Sequence, residues 1–103
     1  IYENESEKDF VKKFALGTNY PNPFNPTTTI SYILEKSGMV SLSIYDMRGR
    51  LIKTLFYGNQ KLGYYSVDWN GTNSQGRPVS AGSYLYTIKV ENQVDTKRMT
   101  LLK

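Results

Sequence analysis

The segment from Asp68 to Gly76 has oxygen-bearing side chains at alternate positions, which is the kind of spacing with which a loop holds calcium. The segment departs from the EF-hand pattern, because Asn73 stands where that loop requires Gly and Val79 stands where its bidentate Glu belongs. Asn, Gly and Ser also form turns without any metal. We therefore expect no metal ion here, and Asp68, Asn70 and Asn73 are only weak candidates for cation ligands.

Residues suited to catalysis are scarce. The sequence has no His and no Cys, which excludes His-assisted nucleophiles and zinc sites built from imidazole or thiolate. The acids of the predicted folded part are Glu35, Asp46, Asp68, Glu91 and Asp95. Nearly all fall at predicted strand ends or turns, where carboxylates are solvated rather than paired across a cleft. No Gly-rich phosphate loop precedes a helix. The sequence therefore predicts a chain that is not an enzyme and needs no cofactor.

The positive charge is spread thinly along the chain. The net charge is +4, and over residues 15–103 the bases are mostly single, with only Arg48/Arg50 and Lys97/Arg98 close together. Nucleic-acid binding favours a dense basic stripe, so we expect no nucleic-acid partner. No run of 18 apolar residues exists, so we predict no transmembrane segment.

Five of the nine tyrosines bear on whether the chain binds sugars. Tyr84 and Tyr86, like Trp69, lie at inward positions of an alternating pattern, which indicates core. Tyr45, Tyr57 and Tyr64 are less constrained and could be surface side chains that stack on sugars. An alternative function is therefore a carbohydrate-binding or structural accessory module of a secreted glycan-active enzyme.

The elements that must position these residues are strands, because apolar residues recur with a period of two. Alternation predicts strands over residues 28–34, 40–44, 51–55, 65–69, 84–90 and 97–102. Turn signals separate them, among them Gly49 in a hairpin turn and Asn92-Gln93 before the last strand. Several short strands with such turns predict an all-β sandwich.

Three prolines interrupt the start of this pattern. Pro21, Pro23 and Pro26 remove backbone donors and forbid both helix and central strand, so this segment is predicted to lead stiffly into the first long strand. Tyr20 and Phe24 are expected to cover one end of the core. The polar residues 1–15 are predicted to be a linker, with the folded domain over 16–103.

The last predicted strand, over Lys97 to Leu102, has two compatible interpretations. It can be an ordinary closing strand, and it can also be an edge that a partner extends by strand addition.

An ordered set of motifs resembles a known family, the type A C-terminal sorting domain of type IX secretion substrates. The motifs are Asn19-Tyr20-Pro21-Asn22-Pro23-Phe24-Asn25-Pro26, then Val40-x-Leu42-x-Ile44-Tyr45-Asp46-x-x-Gly49, then Trp69-Asn70-Gly71, Gly76, Gly82-Ser83-Tyr84-x-Tyr86 and the ending from Lys97 to Lys103. Flagellar hook-capping Ig-like domains resemble residues 38–90 but usually lack the proline-rich start and the Lys-rich closing strand.

The resemblance implies an immunoglobulin-like antiparallel β-sandwich of about seven strands. It also implies a sorting signal on a larger cargo protein, which would pass from the periplasm across the outer membrane of a Gram-negative bacterium and be secreted or held at the cell surface. The implied partners are the upstream cargo domain, the type IX translocon with its outer-membrane shuttle components, and a sortase-like peptidase that removes the domain.

Carried over residue by residue, the family's recognition elements lie in three places. They are expected to be Gly49 in the central hairpin, Gly82 and Tyr84 in the penultimate strand, and Lys97, Met99, Leu101, Leu102 and Lys103 at the end. The cleavage site is expected in the linker before Leu16.

Overall fold

The computed structural model describes residues 12–103, and every element within that range is a strand. The strands are β1 (Phe14–Leu16), β2 (Thr28–Leu34), β3 (Gly38–Asp46), β4 (Leu51–Gln60), β5 (Gly63–Trp69), β6 (Gly82–Val90) and β7 (Gln93–Leu101). Residues 12–103 contain no helix long and apolar enough to cross a membrane.

Two antiparallel sheets form the fold. The three-stranded sheet has the order β1-β2-β5, and the four-stranded sheet has the order β4-β3-β6-β7. The prediction of an all-β sandwich of about seven strands is confirmed.

Alternation along each strand supplies the core between the sheets. In β3, the buried Val40, Leu42 and Ile44 alternate with small hydroxyl residues, as expected for a strand with one face against another sheet. Side chains less than 2% exposed fill the centre: Trp69, Tyr32, Tyr86, Phe24, Ile30, Leu34, Leu42, Ile44, Ile88, Met99, Leu101 and Val40.

Most strands extend beyond their predicted ends, and β3, β5 and β6 each begin two residues earlier than the alternation indicates. β1 begins at Phe14, two residues before the expected start of the domain, because Phe14 and Leu16 are buried while Ala15 pairs with Ile33 of β2. Residues 1–11 lie outside the described part of the chain, so the linker and the domain boundary stay predictions.

β4 and β7 are both longer than their sequence patterns indicate. β4 continues to Gln60 rather than ending at Leu55, because two irregularities in its register with β3 break the simple alternation. β7 begins at Gln93, since the turn consists of Glu91 and Asn92 rather than Asn92 and Gln93. Glu91 adopts a φ of 54°, the left-handed conformation that tight hairpin turns use.

Candidate functional site

The predicted recognition residues meet at one end of the four-stranded sheet. Tyr84 of β6 pairs with Asp46, which opens the turn that holds Gly49, and with Met99 of β7. Gly82 pairs with Leu101 in the same ladder. We call this part of the sandwich the proline end, because the segment from Tyr20 to Pro26 also packs there.

Lys97 lies apart from that set. It pairs with Tyr86 near the middle of β7, on the side of the four-stranded sheet that faces the three-stranded sheet. The structure therefore brings most of the predicted residues together but leaves Lys97 about two residues of strand, roughly 7 Å, from Met99.

The predicted residues also differ in whether a partner can touch them. Tyr84, Met99 and Leu101 are buried, at 7%, 1% and 1% exposure, so they belong to the core. Leu102 is half exposed, and Lys103 is exposed. Gly49 in the hairpin turn is exposed as well, and Lys97 is partly exposed, so these four residues can contact another protein without a change of fold. The role of the set in recognition stays a prediction.

The proline-rich segment closes one end of the edge of β7. The N–H of Phe24 donates to the carbonyl of Thr100 (3.0 Å), and the N–H of Leu102 donates to the carbonyl of Phe24 (2.8 Å). The N–H of Thr100 donates to Oδ1 of Asn22 (3.0 Å). The two backbone bonds form a parallel bridge between Phe24 and Leu101, and the Asn22 side chain adds a third bond. The C-terminal end of β7 with the following Leu102, residues 100–102, therefore has a neighbour on its outer side, and we call it the closed end of β7.

Phe24 fixes this bridge to the core. Its ring is 1% exposed and lies 5.7 Å, centroid to centroid, from the indole of Trp69, which in turn meets Tyr84 edge-on at 5.4 Å. Phe24 thus covers one end of the core as the sequence predicts, whereas Tyr20 is 80% exposed and does not.

The rest of the outer edge of β7 is open. In an antiparallel ladder, successive residues direct their N–H and C=O groups alternately toward and away from the neighbouring strand. Thr100 and Leu102 point theirs outward to the proline-rich segment, so Val94, Thr96 and Arg98 do the same. We call Val94–Arg98 the open edge.

Few bonds engage the open edge. The N–H of Thr96 donates to Oδ1 of its neighbour Asp95 (2.9 Å). Among residues 12–103, no hydrogen bond is found for the outward N–H groups of Val94 and Arg98. A segment in extended conformation can therefore pair with the backbone here.

The side chains of the open edge give it a charge pattern. Asp95 and Lys97 occupy inward positions, and Asp95 forms a salt bridge with Lys12 (3.5 Å). On the outer face, Thr96 shares a hydroxyl bond with Thr87 (2.9 Å), and the Arg98 guanidinium donates to Oγ of Ser83 (3.1 Å). A strand that pairs with the open edge would therefore lie beside two opposite charges, Asp95 and Lys97, which are two residues apart.

Tyr86 anchors the chain that leads into the proline end. Its hydroxyl accepts from the N–H of Asn19 (2.9 Å) and donates to the carbonyl of Gly17 (2.9 Å). Burial raises the pKa of Tyr86 above its ordinary value, and the bond from Asn19 opposes that rise in part. Burial likewise raises the pKa of Tyr84, whose hydroxyl donates to the carbonyl of Ser80 (2.6 Å).

The turn that holds Gly49 is organised by Asp46. Its Oδ1 accepts from the N–H groups of Arg48 and Arg50 (both 2.9 Å), and its Oδ2 forms an ion pair with the Arg50 guanidinium (2.8 Å). The bond from the Arg50 backbone is the largest of the effects that lower the pKa of Asp46. Gly49 has a φ of 85°, which other residues rarely adopt.

The weak cation candidates organise turns and pairs instead. Asp68 accepts from the Thr29 hydroxyl (2.7 Å), and Asn70 accepts from the Thr72 hydroxyl (2.6 Å). Oδ1 of Asn73 accepts from the N–H groups of two residues further along its own loop. Within residues 12–103, no group of three or more His, Cys, Asp or Glu side chains is arranged to hold a metal ion.

The three tyrosines proposed as sugar platforms do not share a surface. Tyr57 is 70% exposed and pairs with Ser41 on the outer face of the four-stranded sheet, whereas Tyr64 is 85% exposed on the three-stranded sheet. Tyr45 is only partly exposed. Tyr57 and Tyr64 are thus surface side chains but lie on different sheets, and sugar binding by these residues stays a prediction.

Two features of the site escaped the sequence prediction. Asn22 was predicted only to belong to the stiff segment before the first long strand, whereas its side chain accepts a hydrogen bond from the N–H of Thr100 in β7. Val94 to Thr96 were assigned to the connection before the last strand, because charged residues at inward positions hide the alternation. The prolines beside Asn22 were the available signal, since they mark a segment that pairs through few backbone donors.

The sequence profile described as FlgD Ig-like domain matches residues 24–95. The chain belongs to this family. Residues 12–23 and 96–103 lie outside the matched range; they include Asn22 and Thr100, which bond to each other at the end of β7, whereas Phe24 at the same place lies inside the match. No match was found among curated proteins.

Solved structures similar to this FlgD Ig-like domain include parts of much longer proteins. Dimeric latent PorU from Porphyromonas gingivalis has a TM-score of 0.67 at 19% identity, over 90% of this chain and 10% of PorU. PorZ from the same organism, described as an essential bacterial surface component of the type-IX secretion system, has a TM-score of 0.58 at 25% identity, over 95% of this chain and 12% of PorZ.

A flagellar protein shares the fold as well. FlgD from Xanthomonas campestris, described with hook capping in flagellar assembly, has a TM-score of 0.58 at 19% identity, over 93% of this chain and 72% of that chain. At 19% identity the likeness to FlgD and to PorU establishes the fold alone.

Proposed function

We propose that this FlgD Ig-like domain is a non-catalytic sorting module that directs a larger cargo protein across the outer membrane by type IX secretion. The cargo would end outside the cell or on its surface. The likeness to PorZ, at 25% identity, supports this, because the chain matches 12% of PorZ, a larger protein that is described as a component of that secretion system.

The observation that carries the proposal is the state of β7. The proline-rich segment pairs with its last residues, while the open edge beside it keeps outward N–H and C=O groups. A secretion component would bind by adding an extended segment to Val94–Arg98, with backbone bonds for affinity and side-chain contacts for selectivity.

The predicted recognition residues would act in two ways. Tyr84, Met99 and Leu101, which are buried, would hold β7 in place. Lys97, Leu102 and Lys103 would contact the translocon or its shuttle components directly. A sortase-like peptidase would then cut the chain in the linker, between the domain and the cargo.

A hook-capping role is the competing function within the family. The segments outside the profile match argue for sorting, because residues 19–23 and 96–103 meet at β7 and complete the surface on which the proposal rests. A structural accessory role in a glycan-active enzyme would leave that surface without a use.

A reporter fusion tests the proposal. The full 103-residue chain is joined behind a periplasmic reporter and expressed in a host with a type IX system and in its translocon-deletion mutant. We expect the reporter outside the first host and inside the periplasm of the second, and the reporter alone in the periplasm of both. Retention of the fusion in the periplasm of the competent host would refute the proposal.

A further inference from the structure

Two highly exposed tyrosines project from the outer face of the three-stranded sheet. Tyr64 pairs with Ile33 of β2, and Tyr20 pairs with Thr29 of the same strand. Directly opposite residues of an antiparallel pair point to the same side, and Thr29 and Ile33 both point away from the core. Tyr20 and Tyr64, 80% and 85% exposed, therefore stand on one face.

Their separation follows from strand geometry. Thr29 and Ile33 are four residues apart on β2, and the two tyrosines flank β2 on opposite sides. With about 3.4 Å per residue along a strand and about 4.8 Å between strands, the two tyrosine Cα atoms lie roughly 17 Å apart. One ligand ring cannot reach both side chains, whereas a short chain of rings can.

Small polar groups form the floor between them. Ser31 and Ser66 face each other with their hydroxyls 3.2 Å apart. Beside them Gly17 donates its N–H to the carbonyl of Ser31 (2.8 Å), and a Cβ at Gly17 would lie 2.9 Å from that oxygen. Beside this polar row lies a groove of about 290 Å³ that reaches Tyr64, and apolar atoms make up most of its lining, among them those of Ala15 and Ile33.

A hydrogen-bonding group lies beside Tyr20. Oδ1 of Asp68 accepts from Thr29, and no bond to the other carboxylate oxygen is found within residues 12–103. The three rows across this face are Tyr20–Thr29–Asp68, Gly17–Ser31–Ser66 and Ala15–Ile33–Tyr64. These rows contain no Lys or Arg.

The chemistry of the face selects a class of ligand. A sugar ring has an apolar C–H face that stacks on an aromatic ring, and a rim of hydroxyls that bond to Ser, Thr and carboxylate oxygens. An anionic ligand would find no counter-charge in the rows. A protein interface would need one continuous apolar centre, and here the hydroxyls of Ser31 and Ser66 separate the apolar groove beside Tyr64 from Tyr20.

We propose that the face defined by Tyr20, Gly17, Thr29, Ser31, Ser66, Asp68 and Tyr64 binds a neutral oligosaccharide of several units, stacked on both tyrosines. This goes beyond sorting, because it uses the opposite sheet from the open edge.

Calorimetric titration of the full chain with cellohexaose, xylohexaose, mannohexaose and maltohexaose tests it. We expect saturable binding of at least one of these probes. Tyr20→Ala and Tyr64→Ala should each weaken it about tenfold, the loss expected for one aromatic stacking contact. The disaccharide of the same sugar should bind at least about tenfold more weakly, because it cannot span both rings.

Tyr57→Ala is the matched control, since Tyr57 is also 70% exposed but lies on the other sheet. It should leave the affinity unchanged, and thermal unfolding should be the same for all three alanine variants. Absence of binding to all four hexasaccharides would overturn the proposal, as would an equal loss in Tyr57→Ala or equal affinity for the disaccharide. Export of the Tyr20→Ala/Tyr64→Ala fusion should stay normal, which keeps this test separate from sorting.

Discussion

The two edges of the four-stranded sheet are built differently. β4 shifts its register with β3 twice, and the N–H and hydroxyl of Ser74 both donate to the carbonyl of Ile52 (2.9 and 3.0 Å), so a loop covers part of that edge. β7 pairs with β6 over nine residues without a shift, and its open edge remains uncovered by residues 12–103.

Bulges and covering loops protect an edge from pairing with other chains. Because β4 and β7 share one sheet and one core, the contrast does not arise from a weakness of the fold. The inward Asp95 and Lys97 discourage unselective pairing at β7 without preventing it. The difference teaches that, within residues 12–103, the fold blocks one edge of this sheet and leaves the other available for pairing, as the proposed function requires.

The largest expected effect is a difference in stability between substitutions of a buried and an exposed leucine at the end of β7. Leu101→Ala removes a side chain that is 1% exposed and should lower the free energy of unfolding by about 2–5 kcal/mol. Leu102→Ala, at a site 49% exposed, should change it by less than about 0.5 kcal/mol. Denaturant titration of both variants measures the difference. Equal losses would mean that the closed end of β7 is not packed as described.

Tyr86→Phe should have the next largest effect. It leaves the carbonyl of Gly17 and the N–H of Asn19 without their buried partner and should cost about 1–3 kcal/mol. Residues around Asn22 should exchange amide hydrogens faster, because the chain leading to the closed end loses its anchor. Unchanged exchange there would show that the bridge between Phe24 and β7 does not depend on the hydrogen bonds of Tyr86.

The same substitution alters stability at high pH. The raised pKa of Tyr86 means that the folded state keeps this proton more firmly than the unfolded state, so its contribution is complete below about pH 10 and is lost as the pH rises through the folded pKa. Thermal unfolding of Tyr86→Phe should therefore depend less on pH above 10 than that of the unaltered chain. Some dependence should remain, because the pKa values of Tyr84 and Tyr32 are also raised in the folded state.

The smallest effect concerns Asp46 in the hairpin turn. The pKa of Asp46 lies below its unfolded value, so its contribution to stability is present above about pH 4 and is lost as the pH falls through the folded pKa. Asp46→Asn should flatten the acid side of a plot of melting temperature against pH. If that plot is unchanged, the contacts from Arg48 and Arg50 do not hold the carboxylate in solution.

Much of this fold could be predicted from alternation alone. Val40, Leu42 and Ile44 in β3 follow the pattern without interruption, as do Tyr84 and Tyr86 in β6, because both strands lie at the centre of their sheet. β1 is too short for a period to be visible. β4 escaped because bulges shift its pattern, and the start of β7 escaped because Asp95 takes an inward position.

The sites depended on contacts between distant residues. The pairing of Tyr20 with Thr29 determines that Tyr20 joins Tyr64 on one face, and the bond from Thr100 to Asn22 determines where the edge of β7 closes. Neither contact leaves a local signal in composition or period, since the first links residues that are 9 positions apart and the second links residues that are 78 positions apart.

One measurement tests the open edge most directly. Thr96→Pro removes an outward backbone donor of β7, and Ser66→Pro removes the equivalent outward donor on β5, the edge of the other sheet. Each variant is fused to the reporter in the type IX host, and thermal unfolding of the purified chains confirms that both are folded. We predict that Thr96→Pro leaves the reporter in the periplasm while Ser66→Pro exports it normally; normal export of a folded Thr96→Pro fusion would contradict the account.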